Sequence, residues 1–483
     1  MATTILTTFG IGAAAASRSR SLAEDRPAPR WLRVVADVRA GEAGTALALA
    51  LTVFLLLTAY YLLKVAREPL ILLGRGAEVK AYAAAGQALL LLAVLKGYGA
   101  LASRVGRMAL LTMVLSFFAL NLLLFSAALR AGAAVGVAFY LWVGVFSVTV
   151  LAAFWSFAND IYRPEQGQRL FAIIGVGSSL GAVCGAALGR FLVRHLGPAE
   201  LMIVAATLLL ACLALFFWVN SQASQPSPTA ISAVPAKPLS GESGLSLILA
   251  DPYLLLIGAL ALLRNWVNST GEYVLDRTLV ASAPQVAAEL GISATRFVSE
   301  FKADYFSAVN ILGVLCQVFV ASRLLKRLGV GRALLVLPAV AFLGNVAMAV
   351  LPALALVRSA KVAENGIDYS VQNTAGNALY LVTSRDAKYK AKAFIDTFLM
   401  RAGDALGAGA IWAGSHFGWS VQLFARLDLL LCLVWLAVAW RVHQRHARLA
   451  DPKRTTQVTA SLPLASCLRT ARPVRSALDR ASA

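Results

Sequence analysis

Charge is scarce in this chain. Asp, Glu, Lys and Arg make up 14% of its 483 residues, where a soluble domain carries about 25%. Apolar residues reach 59% and the mean hydropathy is +0.72, which excludes a soluble enzyme and a disordered chain. Cysteine is also sparse. Of the five, Cys184, Cys212, Cys316 and Cys432 lie inside apolar stretches and Cys467 in the tail, none with CxxC spacing, so disulfide and thiolate-metal readings have no support. The four histidines (His195, His416, His443, His446) fall at segment ends or in the tail. They lack the carboxylate neighbours that a helical metal site or a buried general base needs. No GxxxxGK(S/T) stretch occurs, which argues against an ATP-hydrolysing pump. No metal, cofactor or membrane-enzyme chemistry is expected.

Basic residues are in excess, with a net charge of +20, but they are spread over loops and tails rather than gathered among aromatics. Nucleic-acid binding is therefore rejected in favour of a chain whose cytoplasmic loops are held inside by their positive charge. Arg18 and Arg20 follow the apolar N-terminal stretch instead of preceding it, the wrong order for a signal peptide.

What the chain does have is apolar runs of about 20 residues, enough to cross about 30 Å of hydrocarbon. They fall at 45–64, 81–101, 110–129, 134–158, 170–193 and 200–219, then at 252–276, 303–322, 333–351, 354–382, 393–415 and 419–441. Between the sets, 221–246 holds four prolines and many serines, as a flexible linker does. The expected organisation is a cytoplasmic tail (1–44), a first six-helix half (45–220), the cytoplasmic linker (221–246), a second half (247–441) and a basic disordered tail (442–483). The Lys and Arg distribution favours both termini inside a bacterial inner membrane.

A shift of 226 residues lays the Gly177–Ala182 stretch on Gly403–Ala408 and Asp160 on Asp386. Two parallel six-helix repeats resemble the build of major-facilitator transporters, with substrate held between the halves. The fold class expected is an all-α polytopic membrane protein of about twelve transmembrane helices. Gly177, Gly181, Gly185 and Gly189 recur every fourth residue, a packing stripe rather than a phosphate fingerprint, since no strand precedes it.

Charges inside helices are costly in lipid and mark function or a structural lock. Tyr60, Lys64, Arg67 and Glu68 share one face of the first segment, which Pro69 is expected to end or kink. Either they snorkel to the headgroups or they rim a central cavity. In the seventh segment Arg264 heads a stripe of Asn268, Glu272 and Asp276. In the tenth, Lys361, Glu364, Asp368 and Gln372 step by three and four beside Asn365, Asn373 and Asn377, a face that lipid cannot solvate. The eleventh adds Asp396, Arg401 and Asp404. The loop from Arg385 to Lys392, with Lys388 at its centre, is either a positive-inside anchor or a phosphate-attracting vestibule.

These same stretches resemble a known family. Tyr60 to Leu70 followed by Gly76 to Lys80 is similar to the first-helix signature of the ATP/ADP translocases of the parasite and plastid type. Phe154-Trp-Ser-Phe-Ala-Asn-Asp160 resembles their FWxFAN motif, and Ala363 to Ser370 resembles the tenth-helix signature of the bacterial branch. Lys388 to Lys392, Ile395 to Thr397 and Arg401 to Asp404 resemble their KxKxK…ID…RxG block. The resemblance implies a major-facilitator-like fold and exchange of ATP for ADP without hydrolysis, with cations holding phosphates and acids taking part in gating. Arg67 stands at a basic first-helix position of that family and Glu272 at an acidic seventh-helix position. The candidate substrate-binding residues are thus Lys64, Arg67, Arg264, Lys361, Arg401 and Lys388, and the candidate gating residues Glu68, Glu272, Glu364, Asp368 and Asp404. The alternative is a major-facilitator carrier of another metabolite, proton-coupled through Asp368 or Asp404.

Overall fold

The computed structural model describes residues 42–222 and 243–450, residue 163 excepted. Residues 1–41 of the expected N-terminal tail (1–44), 451–483 of the expected C-terminal tail (442–483) and 223–242 of the linker lie outside the described residues. All regular structure among the described residues is helical. The helices are α1 (Ala43–Ala102), α2 (Arg107–Arg130), α3 (Gly136–Ile161), α4 (Pro164–Leu192), α5 (Pro198–Gln222) and α6 (Gly244–Ala250). Then come α7 (Pro252–Glu289), α8 (Ala294–Ala333), α9 (Val336–Val350), α10 (354–382), α11 (387–416) and α12 (Val421–Leu449).

Helix α1 carries the first two expected spans. Sixty residues at 1.5 Å each is about 90 Å, two passes of a bilayer. The turn between them differs from expectation. The helix runs through Pro69 and breaks at Gly76, whose φ of 91° and ψ of 167° suit a residue without Cβ.

Seven described helices (α1–α5, α8 and α12) are long and apolar enough to cross a membrane. The second arm of α1, with α7, α9, α10 and α11, accounts for the other five of the twelve segments read from sequence. Helix α9 has only 15 residues, and α7, α10 and α11 hold the polar stripes, so they fall short on apolarity alone. Helix α12 continues to Leu449, beyond the expected end at 441. Large apolar side chains such as Phe117, Leu120 and Leu124 of α2 and Leu430 and Val434 of α12 are exposed on the outside, the surface lipid would cover.

The 226-residue echo is visible in the packing. Helix α1 packs on α3, α4 and α5, and α2 on α5; in the same way α7 packs on α10, α11 and α12, and α9 on α12. The glycine stripe makes this possible. A Cβ at Gly177 or Gly181 would strike the α1 backbone at Ala50 or Phe54, and one at Gly403 would strike the α7 backbone at Leu262. Between the two sets, α4 meets α8 and α1 meets α7, α8 and α11.

Helices α8, α10 and α11 are interrupted by π turns at Cys316–Ala321, Asp368–Gln372, Ala387–Ala391 and Ile395–Leu399. Each such turn adds a residue to the repeat and rotates the remainder of the helix by about 100°. The polar face expected to run unbroken down α10 is therefore divided.

Candidate functional site

Where the two sets of helices meet, α1, α3, α7, α8, α10 and α11 enclose a cavity of about 260 Å³. Five cations (Lys64, Arg67, Lys80, Lys302 and Arg401) and four carboxylates (Glu68, Glu272, Asp276 and Asp404) line it. The first-helix face read from sequence does turn inward.

Nearest the Gly76 turn the charges alternate around a ring. Glu68 Oε2 lies 2.5 Å from Lys80 Nζ, which is 2.7 Å from Asp276 Oδ2. Asp276 Oδ1 in turn lies 2.5 Å from Lys302 Nζ, and Lys302 is 3.8 Å from Glu68. The Lys302–Asp276 contact is not aligned as a hydrogen bond, so its attraction is electrostatic. Glu68, Asp276 and Lys302 are buried. Because Glu68 and Lys80 belong to α1 while Asp276 and Lys302 belong to α7 and α8, the ring joins the two sets of helices. Tyr273, donating to Glu78 at 2.8 Å, and Arg190, 2.6 Å from Asp304, bridge the same sets.

Arg67 extends the ring into the cavity. Its Nε and Nη2 donate to Glu68 Oε1 at 3.1 Å, and its guanidinium lies 4.4 Å over the Tyr140 ring. Lys64, one helical turn away, has no hydrogen bond or ion pair among the described residues. Its ammonium rests on ring faces, 3.9 Å from the centroid of Phe306, 4.9 Å from Tyr61 and 5.7 Å from Tyr60. Cation–π contacts hold a charge in place without neutralising it.

On the opposite wall Glu272 accepts from the Tyr305 hydroxyl at 2.5 Å and from Asn365 Nδ2 at 2.8 Å, tying α7 to α8 and α10. Arg401 donates to Asp404 at 2.8 Å, and Asp404 also accepts from Ser269 at 2.9 Å and Asn265 at 3.3 Å.

The remaining sequence candidates sit elsewhere. Lys361 and Glu364, 3.0 Å apart, are buried behind α7 and do not line the central cavity. Lys361 reaches it indirectly, donating to Asn268 Oδ1 at 3.1 Å beside Gly271, where a Cβ would come within 3.0 Å of Nζ. Arg264 lies 3.5 Å from Asp368 and lines a second cavity of about 310 Å³ with Gln372, Asn373, Asn377, Lys392 and Asp396. The π turn at Asp368 is what sends Lys361 and Glu364 to one side and Gln372 onward to the other. Lys388 is exposed on its own π turn and lines neither cavity.

Sequence reasoning missed Lys302 and Tyr305 altogether and gave Lys80 no role. The eighth apolar run read from sequence starts at 303, one residue too late for Lys302. The signal that could have found them is the i, i+3, i+7 spacing of Lys302, Tyr305 and Val309, all of which line the cavity.

The profile of the Major Facilitator Superfamily matches residues 49–363. ADP,ATP carrier protein 1 of Chlamydia pneumoniae is 21% identical over 344 residues, 62% of this chain and 64% of that one. ADP,ATP carrier protein 1, chloroplastic, of Arabidopsis thaliana is 23% identical over 331 residues, 61% and 51% of the two chains. The chain thus spans less than two-thirds of the length of these curated relatives. Solved transporter structures share the fold, among them three that each align at a TM-score of 0.58. One is the inward-facing bacterial homologue of the human lysosomal transporter Spinster, at 13% identity over 86% of this chain and all of that one. Another is a mutant of the nucleoside transporter NupG, at 11% identity over 84% of this chain and 100% of that one. The third is an inward-facing bacterial homologue of the iron transporter ferroportin, at 14% identity over 83% and 98% of the two chains. A cavity walled by charged faces of two matching sets of helices, and a family profile spanning most of the apolar core, lead to one assignment: the chain belongs to the Major Facilitator Superfamily and is a multi-pass membrane transporter.

Proposed function

We propose that this protein exchanges ATP for ADP across a bacterial plasma membrane by alternating access, without hydrolysis and with both termini, the linker and the basic tail on the cytoplasmic side. The carrying observation is Lys64, a cavity-facing ammonium held by three rings and, among the described residues, paired with no acid. Similarity to ADP,ATP carriers supports the substrate class.

Around Lys64 two arginines can be recruited without stranding their acids. If Arg67 turns to a phosphate, Glu68 keeps Lys80 and Lys302. If Arg401 turns, Asp404 keeps Ser269 and Asn265. Arginine's planar fork suits the bidentate grip a phosphate offers. Arg264 and Lys392, in the second cavity, form an anion vestibule, with Lys388 as an outer attractor. Lys361 acts through Asn268, and Glu272, Glu364 and Asp368 hold the empty site together until substrate arrives.

The test is thermal stabilisation of the purified protein by ATP, ADP, phosphate and other metabolites. A ligand at 100 times its Kd stabilises the folded state by about 2.7 kcal/mol. Stabilisation by both ATP and ADP, lost in Arg67→Ala and Arg264→Ala but kept in Arg75→Ala, is the expected result. A response to a different anion alone discards the nucleotide assignment.

The near balance of five cations against four carboxylates in the cavity favours a second reading, a carrier of a less highly charged metabolite coupled to protons through Asp368 or Asp404. Such a carrier moves protons into or out of vesicles on substrate addition; the exchanger needs no pH gradient.

A further inference from the structure

Asp428 of α12 is a buried acid to which the cavity gives no role. It is 1% exposed, and among the described residues no cation lies within ion-pair distance of it. Its hydrogen-bond partner is the Thr270 hydroxyl of α7, 2.6 Å from Oδ1 and 2.7 Å from Oδ2. The same hydroxyl lies 3.1 Å from the backbone carbonyls of Trp266 and Val267.

A hydroxyl has one proton to give. If Asp428 were ionised, that single proton would be the only donor among the described residues to a carboxylate buried in a membrane-spanning helix, an arrangement that low-dielectric surroundings strongly disfavour. If Asp428 carries a proton, it donates to Thr270 Oγ, Thr270 donates back to its own helix, and every proton is used. From the geometry we infer that Asp428 is a proton-binding site, occupied at neutral pH in the conformation seen here.

Its surroundings couple it to the substrate cavity. The charged groups that face it are Lys361 and Glu364 of α10. From α9 comes Asn345, which donates to the Cys432 thiol one turn along α12 from Asp428. Lys361 packs on Gly271, the residue after Thr270, and donates to the cavity-lining Asn268. Loss of the proton would leave a bare carboxylate competing with Glu364 and Asn268 for the Lys361 ammonium. Proton occupancy at Asp428 would thereby set the position of Asn268 in the cavity wall. This site is distinct from Asp368 and Asp404, and it does not depend on which substrate the cavity takes.

Infrared spectroscopy of the purified full-length protein, without substrate, tests it. At neutral pH the wild type should show a protonated-carboxyl C=O band that shifts in D2O and is absent from Asp428→Asn. That variant should fold normally, because its amide can donate to Thr270 in the acid's place. Thr270→Val, which leaves the acid in place but removes its acceptor, should move the same band to higher frequency. Identical carboxyl regions in wild type and a folded Asp428→Asn would overturn the proposal. So would an unmoved band in Thr270→Val.

Discussion

Lys302 Nζ lies 2.5 Å from Asp276 Oδ1, and neither side chain is open to solvent. The pair lies between α7 and α8, yet its other neighbours, Glu68 and Lys80, come from α1. Opening the cavity at the Gly76 end must pull this ring apart, so the ring is the part of the site where stability and transport are in direct conflict.

Removing one member should therefore be costly. Lys302→Met leaves Asp276 with Lys80 alone, and breaking a buried pair in this way costs about 3–5 kcal/mol. Asp276→Asn should cost a similar amount. The double variant should cost less than the two added together, with a coupling of about 1–3 kcal/mol in thermal or chemical unfolding. Strict additivity would show that the two charges are independent.

Gly271 is required by Lys361 rather than by its own backbone. A methyl at this position meets Nζ at 3.0 Å and Cδ at 3.2 Å. Gly271→Ala should displace the ammonium from Asn268 and destabilise by about 1–3 kcal/mol. Gly409→Ala, with no atom within 4 Å of the new methyl, should stay within about 0.5 kcal/mol of wild type. Equal stability of the two variants would remove Lys361 from the cavity wall's support.

The repeat predicts matched losses at matched positions. Gly177→Ala and Gly403→Ala both push a methyl into a partner helix backbone, Ala50 in one half and Leu262 in the other. Each should cost about 1–3 kcal/mol or more, while Gly175→Ala, facing open space, should be tolerated. Thermal unfolding in detergent measures all three, and a loss confined to one half would contradict the common packing plan.

Lys64→Met keeps an apolar stem against Phe306 and the two tyrosines and removes the charge. A charge-assisted hydrogen bond contributes about 1.5–3 kcal/mol, so ATP and ADP should bind more than about tenfold more weakly to this variant. Thermal-shift titration gives the comparison, with the exposed Arg75→Ala as control. Unchanged nucleotide affinity would place the phosphates elsewhere.

The membrane itself made most of the fold legible. Lipid requires long apolar runs, and those runs mark the middle of each expected span, although the first arm of α1 and helices α7, α8 and α12 continue well beyond the expected ends. The glycine stripe announced a close helix contact, because such packing leaves little choice of residue, and the fold supplies the partners, α1 for α4 and α7 for α11. Faces set by helical spacing were legible where the helix is regular: Lys64, Arg67 and Glu68 on α1, and Asn268, Glu272 and Asp276 on α7, all line the cavity. The same reasoning misplaced Lys361 and Glu364, since four π turns in α8, α10 and α11 leave no signature in residue spacing. Pro69 looked like a break and is not one, because a membrane helix can continue through a proline when its neighbours pack around it. Lys302 was hidden at the polar start of an apolar run, and only the fold brings it to Asp276 and Glu68.

Counterflow tests the central claim most directly. Proteoliposomes loaded with ADP, or left empty, are given labelled ATP outside without any pH gradient, and uptake of the label is followed. Nucleotide exchange predicts rapid uptake only into ADP-loaded vesicles, greatly reduced in Lys64→Met. Equal uptake by empty vesicles, or uptake that appears only when a pH gradient is imposed, would contradict it.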